Sequence, residues 1–339
     1  MRPDACSLLS LLMGLSLAAC GSQIPHKDQV ENANADGVLE RQPIVITAQP
    51  LSLNPSDPGD TKVGQLTYLK GWSLTADNEK FGGFSGMVFD GNQMIAISDH
   101  GEWLIADFDP QQDTAPFSNA IMMPFFPGLS GTKEDYDAEG LTTVPDGLLV
   151  SFEANHRVHH VAAPGADPDT PKPLNFDDIK TLPSNNGLEA IVHHPLGPTF
   201  LFAERGAFKD GRRRAWMVTE DGPTPRGYEA PRGHSPTAAT MLPDGGILMV
   251  NRAFSPLFGV SIALVHIDSK IALGDGPLKG TLLGTLKSSL NIDNMEAVAV
   301  VGQQDGMPVI ALMSDDNFNP LQRTLLLLFK LDLSSDEKP

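Results

Sequence analysis

Cysteine is nearly absent: two in 339 residues, Cys6 and Cys20. From residue 21 onward there is no thiol, which rules out a disulfide or a cysteine-held metal, so stability must come from packing or from a metal with other ligands. Basic residues are scarce too, 24 Lys and Arg against 42 Asp and Glu, a formal charge of -18. Such a chain repels a nucleic-acid backbone and suits a soluble surface or a cation site. Long apolar runs are also missing. Leu8 to Leu17 is too short to span a bilayer, and Thr324 to Phe329 is shorter still and reads as a buried strand. No window of a dozen residues carries a 3.6-residue apolar stripe. There is no glycine-rich phosphate loop ahead of a helix. Neither "GFSGM" around Ser85 nor "GLSGT" around Ser130 completes the Gly-x-Ser-x-Gly elbow of a serine hydrolase. His159-His160 and His193-His194 are neighbours whose rings point to opposite faces of a strand, a poor zinc chelate.

The start of the chain is a targeting segment. Arg2, the apolar run and Leu17-Ala18-Ala19-Cys20 have the form of a secretory signal. The ending "LAAC" before Gly21 resembles a bacterial lipobox. That resemblance implies cleavage before Cys20, lipidation of its thiol and, with Ser22 rather than Asp next in line, an outer-membrane anchor facing the periplasm. The alternative is an ordinary secretory signal with Cys20 incidental. The expected organisation is signal 1–19, a flexible polar tether 20–61 with one apolar island at Ile44 to Ala48, and a folded domain over 62–335.

Within that domain a pattern of strand, turn, strand, polar corner and strand recurs five times, most of the turns carrying Asp-Gly, led by Ser85, Glu139, Glu189, Thr237 and Glu296. Successive leads lie 54, 50, 48 and 59 residues apart. A period near fifty with short strands predicts an all-β fold, a β-propeller of five blades. The irregular stretch 110–137 leaves room for a sixth. "GQLTYLKGWS" (Gly64 to Ser73) is expected to close the ring by joining the last blade, and Gly280 to Ser289 adds a further strand.

In such a fold the lead residues converge at one end of the central channel, three carboxylates and two hydroxyls. The corners after the second strands supply a second ring: Asp99, Glu153, Glu204, Asn251 or Arg252, and Asp315 or Asp316. Crowded acids need protonation, an arginine or a cation, and oxygen-only ligands favour Ca²⁺. Arg205 and Arg252 lie in the same corners and Arg323 follows the last; each is a candidate for neutralising acids or binding an anionic substrate. Structural pairing across blades remains the other reading of every acid in the set. The cluster Arg212 to Arg214 reads as a solvated hairpin tip.

"FGGFSGMVFDG", "ISDHGEW", "DAEGLTTVPDG", "NGLEAIVHHP", "LFAERG", "NMEAVAV" and "MSDDNFNP" together resemble the bacterial family described as esterase-like activity of phytase, over roughly Gly64 to Leu333. The resemblance implies a phytase-like propeller that hydrolyses esters or phosphate esters with Ca²⁺ held in acidic clusters. By position it points to Asp99, Glu139, Glu189, Glu204, Glu296 and Asp315 as metal ligands. Glu139, Glu189 and Glu296 become the candidates for activating water, and Arg205, Arg252 and Arg323 for holding substrate. Ser85 and Thr237 depart from a full ring of acids. The expectation is a small-molecule substrate and no nucleic acid, with contact to the membrane only through the lipid at Cys20. Two rivals stand beside it: a non-catalytic envelope propeller binding a ligand or protein, and a Ca²⁺-dependent lactonase.

Overall fold

A computed structural model describes residues 39–126, 131–169, 173–184 and 187–334. The signal segment, Cys20 and the first part of the expected tether lie outside the described residues. Each sequence repeat folds as an antiparallel meander that runs from the channel outwards. The first blade consists of Phe84–Asp90, Gln93–Ser98, Glu102–Phe108 and Phe117–Pro124. The second is Ala138–Val144, Gly147–Phe152 and Arg157–Val161. The third is Leu188–His193, Thr199–Ala207, Arg213–Thr219 and Gly222–Tyr228. The fourth is Ser235–Met241, Ile247–Ser255, Gly259–Ile267 and Thr281–Lys287. The fifth is Asn294–Gln304, Met307–Asp315 and Thr324–Leu331. The innermost strands touch in sequence order and the last meets the first, so the ring is closed.

The fold is therefore an all-β, five-bladed propeller. The stretch 110–137 holds the fourth strand of the first blade and a short helix, Lys133–Tyr136, instead of another blade. Inter-strand turns use the residues that tolerate left-handed backbone. At Asp305-Gly306 both φ angles are positive, 54° and 77°, the geometry a two-residue hairpin with right-handed strand twist requires.

Each interface between adjacent blades encloses its own apolar layer. Trp72, Phe84, Phe108 and Leu326 fill the seam between the last blade and the first. Trp103 and Phe152 lie between the first and second, and Leu201 and Trp216 between the second and third. All three tryptophans are buried, and each indole N–H finds an acceptor: Asp113 O at 2.5 Å, Phe125 O at 3.1 Å and Asp178 Oδ2 at 2.7 Å.

Leu66–Ala76 pairs along the whole of Thr324–Leu331, so an N-terminal strand completes the last blade as expected. The chain before it extends the closure and corrects the tether. Ile46–Pro50 adds a further strand beside Leu66–Ala76, while Gln42–Pro43 pairs with the outer strand of the first blade. Residues 39–61 thus belong to the folded body. The apolar island that the sequence shows at 44–48 is buried there, through Ile44 and Ala48. No helix among the described residues is long and apolar enough to cross a membrane.

Candidate functional site: an acidic channel mouth

All five lead residues occupy the same irregularity. Ser85, Glu139, Glu189, Thr237 and Glu296 are each the extra residue of a β-bulge in the innermost strand, flanked by residues that pair in normal register. A bulge frees one residue from the hydrogen-bond ladder and re-aims its side chain. It recurs in all five blades, and Ser85, Glu139, Glu189 and Glu296 line the channel.

The bulge also strands a carbonyl, and a hydroxyl from the preceding blade reaches it in three cases. Ser85 Oγ donates to Ala138 O at 2.5 Å, Ser151 Oγ to Leu188 O at 3.1 Å and Thr237 Oγ1 to Met295 O at 2.9 Å. Each acceptor immediately precedes a lead glutamate. Ser85 and Thr237 are therefore blade-to-blade links beside the acids, and the innermost ring holds three carboxylates, Glu139, Glu189 and Glu296. Below them the channel leaves only about 10 Å³, room for about one water.

Above the bulges the channel widens into a mouth cavity of about 980 Å³. The corner residues that rim it are held by a repeated backbone bond. Asp99 N donates to Gly83 O, Glu153 N to Asp137 O and Glu204 N to Gly187 O, at 2.8, 2.8 and 3.1 Å. The same register pairs Ser235 with Arg252 and Asn294 with Asp315, so the fourth and fifth corners are Arg252 and Asp315. Asn251 is fully buried inside its blade and accepts from Tyr228 Oη at 2.9 Å. Asp316 ties backbone together, accepting from Gly83 N at 3.0 Å, Phe318 N at 3.1 Å and Thr324 Oγ1 at 2.9 Å. Gly83 has φ +64°, and a Cβ there would lie 2.2 Å from Asp99 Oδ1, so that corner requires glycine.

The cavity lining carries nine carboxylates against three cations, Lys133, Arg205 and Arg252. The cations are not spread evenly. Arg252 is mostly enclosed, with its guanidinium 2.5 Å from Glu296 Oε1 and 3.4 Å from Glu204 Oε1, and it also bonds Asn294. Arg205, largely exposed, lies 3.6 Å from Glu204 Oε2. Lys133 stands 2.8 Å from Asp99 Oδ2 and 3.5 Å from Asp137 Oδ1. Arg323, a candidate for substrate, is elsewhere: its guanidinium lies 3.5 Å from Asn291 Oδ1 and does not line the cavity. Arg212 and Arg214 pair with Asp210 and Asp178, and Arg214 lies over Trp216, so that cluster is tied down and no free tip.

On the side of the second and third blades Lys133 is paired with Asp137, while Glu139, Glu153 and Glu189 have no ion pair among the described residues. One carboxylate oxygen each from Asp137, Glu139 and Glu153 lies within 4.8 Å of the others. Asp137 Oδ1 and Asp99 Oδ1 are buried and accept no hydrogen bond. The electrostatics reflect this. Burial, then Glu189 and Glu296, push the Glu139 carboxyl well above its ordinary range. Burial, then Glu153, Glu296 and Glu204, do the same to Glu189, against the pull of Arg252. Asp137 is pushed up to about 6, chiefly by burial, with Lys133 opposing. Asp315 is raised well above its range by burial and then by Glu296 and Asp99. All-oxygen donors, several negative charges and buried oxygens that accept no hydrogen bond are what an oxygen-preferring metal ion requires, and Asp137, Glu139 and Glu153 could hold one.

The structure therefore brings together Asp99, Glu139, Glu189, Glu204, Glu296, Asp315, Arg205 and Arg252, and leaves out Arg323. Three charged lining residues are outside the expected set: Asp137, Lys133 and Asp293. Asp137 stands two positions before Glu139 in "DAEG", which on a strand is the same face, so the signal was present. Lys133 comes from the helix in the irregular connection, where no repeat pattern exists to flag it.

The fold and site define a class: a five-bladed propeller with an acidic channel mouth in which three carboxylates could hold a metal ion. The chain belongs to the phytase-like family described as esterase-like activity of phytase, whose profile matches residues 79–318, from just before the first innermost strand to the last mouth loop. Among solved structures it is similar to the gluconolactonase XC5397 of Xanthomonas campestris, at 11% identity and TM-score 0.41 over 86% of this chain and 95% of that one. It is also similar to glutaminyl cyclase of Myxococcus xanthus (11%, TM-score 0.42, 79% and 97%) and virginiamycin B lyase of Staphylococcus aureus (13%, TM-score 0.39, 85% and 100%). At these values the likeness is of outline alone. No curated protein matches the chain.

Proposed function

We propose that the mouth cavity is the active site of a cation-dependent hydrolase of esters or phosphate esters, with Ca²⁺ the best-fitting ion. The observation that carries this is the triad Asp137, Glu139 and Glu153, whose oxygens converge within 4.8 Å beside the buried, unbonded Oδ1 of Asp137. These three would hold the ion, with Asp99 next to them. When bound, it supplies Lewis acidity at the substrate oxygen and offsets the charge of the acids. Glu189, held toward its protonated form, is the group able to exchange a proton with water or a leaving alkoxide. Arg205, whose side chain is exposed at the rim, is free to swing from Glu204 to an anionic substrate group. With the signal-like start and Cys20, the reading is of a lipid-anchored enzyme on the periplasmic side of the outer membrane.

One observation favours a second reading for part of the ring. Arg252 is committed to Glu204, Glu296 and Asn294, the arrangement of a structural brace, which a non-catalytic binding propeller would share. Calorimetric titration of the full chain with Ca²⁺, beside Glu139→Gln, separates the two. Binding that is lost in the variant, with turnover of p-nitrophenyl acetate or phosphate that follows occupancy, supports the hydrolase. Absence of both binding and turnover in the wild type rejects it.

A further inference from the structure

The lip of the cavity at the fourth blade is apolar and exposed, in contrast to everything beneath it. The hairpin joining Ile247–Ser255 to Gly259–Ile267 carries Phe254, Leu257 and Phe258, exposed to 71, 80 and 75%. Single exposed apolar residues are ordinary, but a contiguous group beside a cleft marks a binding surface. Phe254 and Ala253 line the acidic cavity on one side. On the other they line a second hollow of about 580 Å³, bounded further by Phe258 and Lys287. Gly233 also borders both, so the two spaces adjoin at these three residues.

We infer that this annex takes the apolar chain of the substrate, so that the preferred substrates are esters that join a polar, oxygen-rich head to an alkyl or acyl chain of several methylenes. Turnover rests on the hydrolase reading; binding in the annex does not. The head lies over the acids and the bound cation, and the chain runs past Ala253 and Phe254 towards Phe258. A small, fully phosphorylated substrate would have nothing to place there, whereas each methylene moved from water onto the rings gains affinity. Full burial supplies about fourfold per methylene and an open groove about half that free energy, roughly twofold.

The test is a chain-length series of p-nitrophenyl esters, acetate to octanoate, with Ca²⁺, on the full chain and on Phe254→Ser/Phe258→Ser. Both rings are exposed, so the double variant leaves the fold intact. The expected result is kcat/KM rising roughly twofold per methylene, about sixtyfold across the series. The variant should flatten that rise, losing far more of its octanoate than of its acetate turnover. Titration with octanoate in the presence of Ca²⁺ reads the annex without catalysis, and should weaken at least tenfold in the variant. Octanoate binding without turnover of any ester rejects the hydrolase and retains the annex. A flat series with octanoate affinity equal in both proteins overturns the inference. So does a concentration-dependent dimer that the variant abolishes with no chain-length effect, which would assign the patch to self-association.

Discussion

Glu139→Gln should make the cation-free protein more stable, and the size of the gain follows from the geometry. The Glu139 carboxylate has oxygens of Asp137 and Glu153 within 4.8 Å. Two unit charges at that distance repel by about 3.5 kcal/mol at an effective dielectric constant of about 20. The native chain lowers this by taking up protons, so the residual penalty at pH 8 is about 1–3 kcal/mol. Glutamine keeps the shape and removes the charge. The pH dependence has a definite sign. Acids whose folded pKa is raised hold protons that the unfolded chain has released, so stability falls as pH rises above the ordinary carboxylate range. The fall runs through about 6 for Asp137, and Glu139 and Glu189, raised well above their ordinary range by burial and neighbouring acids, contribute with the same sign. Urea melts in EDTA should therefore show the variant ahead of wild type at pH 8, with the gap nearly closed at pH 4.5. By thermal melting the pH 8 gap is about 2 °C per kcal/mol. Ca²⁺ reverses the order: at a hundredfold excess over Kd it adds about 2.7 kcal/mol to wild type and little to the variant. A variant less stable than wild type at pH 8 in EDTA would refute the reasoning, because Glu139 would then be acting as a hydrogen-bonded brace.

Three other perturbations address separate parts of the mouth. Arg252→Met leaves Glu296 without its cation and Glu204 with the exposed Arg205 alone, and should cost about 3–5 kcal/mol at pH 8 by urea denaturation, less as the pH falls and Glu296, raised by burial, takes up a proton. Lys133→Met frees Asp99 and Asp137 from a competing cation. It should tighten Ca²⁺ binding by about an order of magnitude in calorimetry, the effect of roughly 1.4 kcal/mol of relieved repulsion. Ser85→Ala and Thr237→Val remove links between blades and orphan a buried carbonyl each. Each should lower stability by about 1–3 kcal/mol while the Ca²⁺ affinity stays within error of wild type.

The blades were legible because period and turn chemistry are local signals: the fifty-residue spacing from Ser85 to Glu296 and the recurring Asp-Gly pairs are written in the chain. The convergence of Glu139, Glu189 and Glu296 followed from that spacing alone. The bulges were not legible. A one-residue insertion in a strand that is apolar on both faces leaves the alternation unreadable, as "LEAIV" and "MEAVAV" show. For the same reason the sequence could not choose between Asn251 and Arg252, whose side chains differ by one step of register and by complete burial. In sequence Ile44 to Ala48 looks like part of a tether because a strand on the rim of a sheet carries few apolar residues. Only its partner, Leu66–Ala76, makes it a strand. Arg323 was misjudged because adjacency in sequence to a mouth residue does not fix the direction of a side chain leaving a loop.

Because the five lead residues stand outside the hydrogen-bond ladder, their identity is uncoupled from the pairing that builds the blades. Exchanging one for another alters what the channel offers without asking any strand to re-register. The chain already displays two uses of the same position, carboxylates at Glu139, Glu189 and Glu296 and hydroxyls at Ser85 and Thr237. Such sockets let selection, or a designer, sample new chemistries at the mouth while the scaffold stays still.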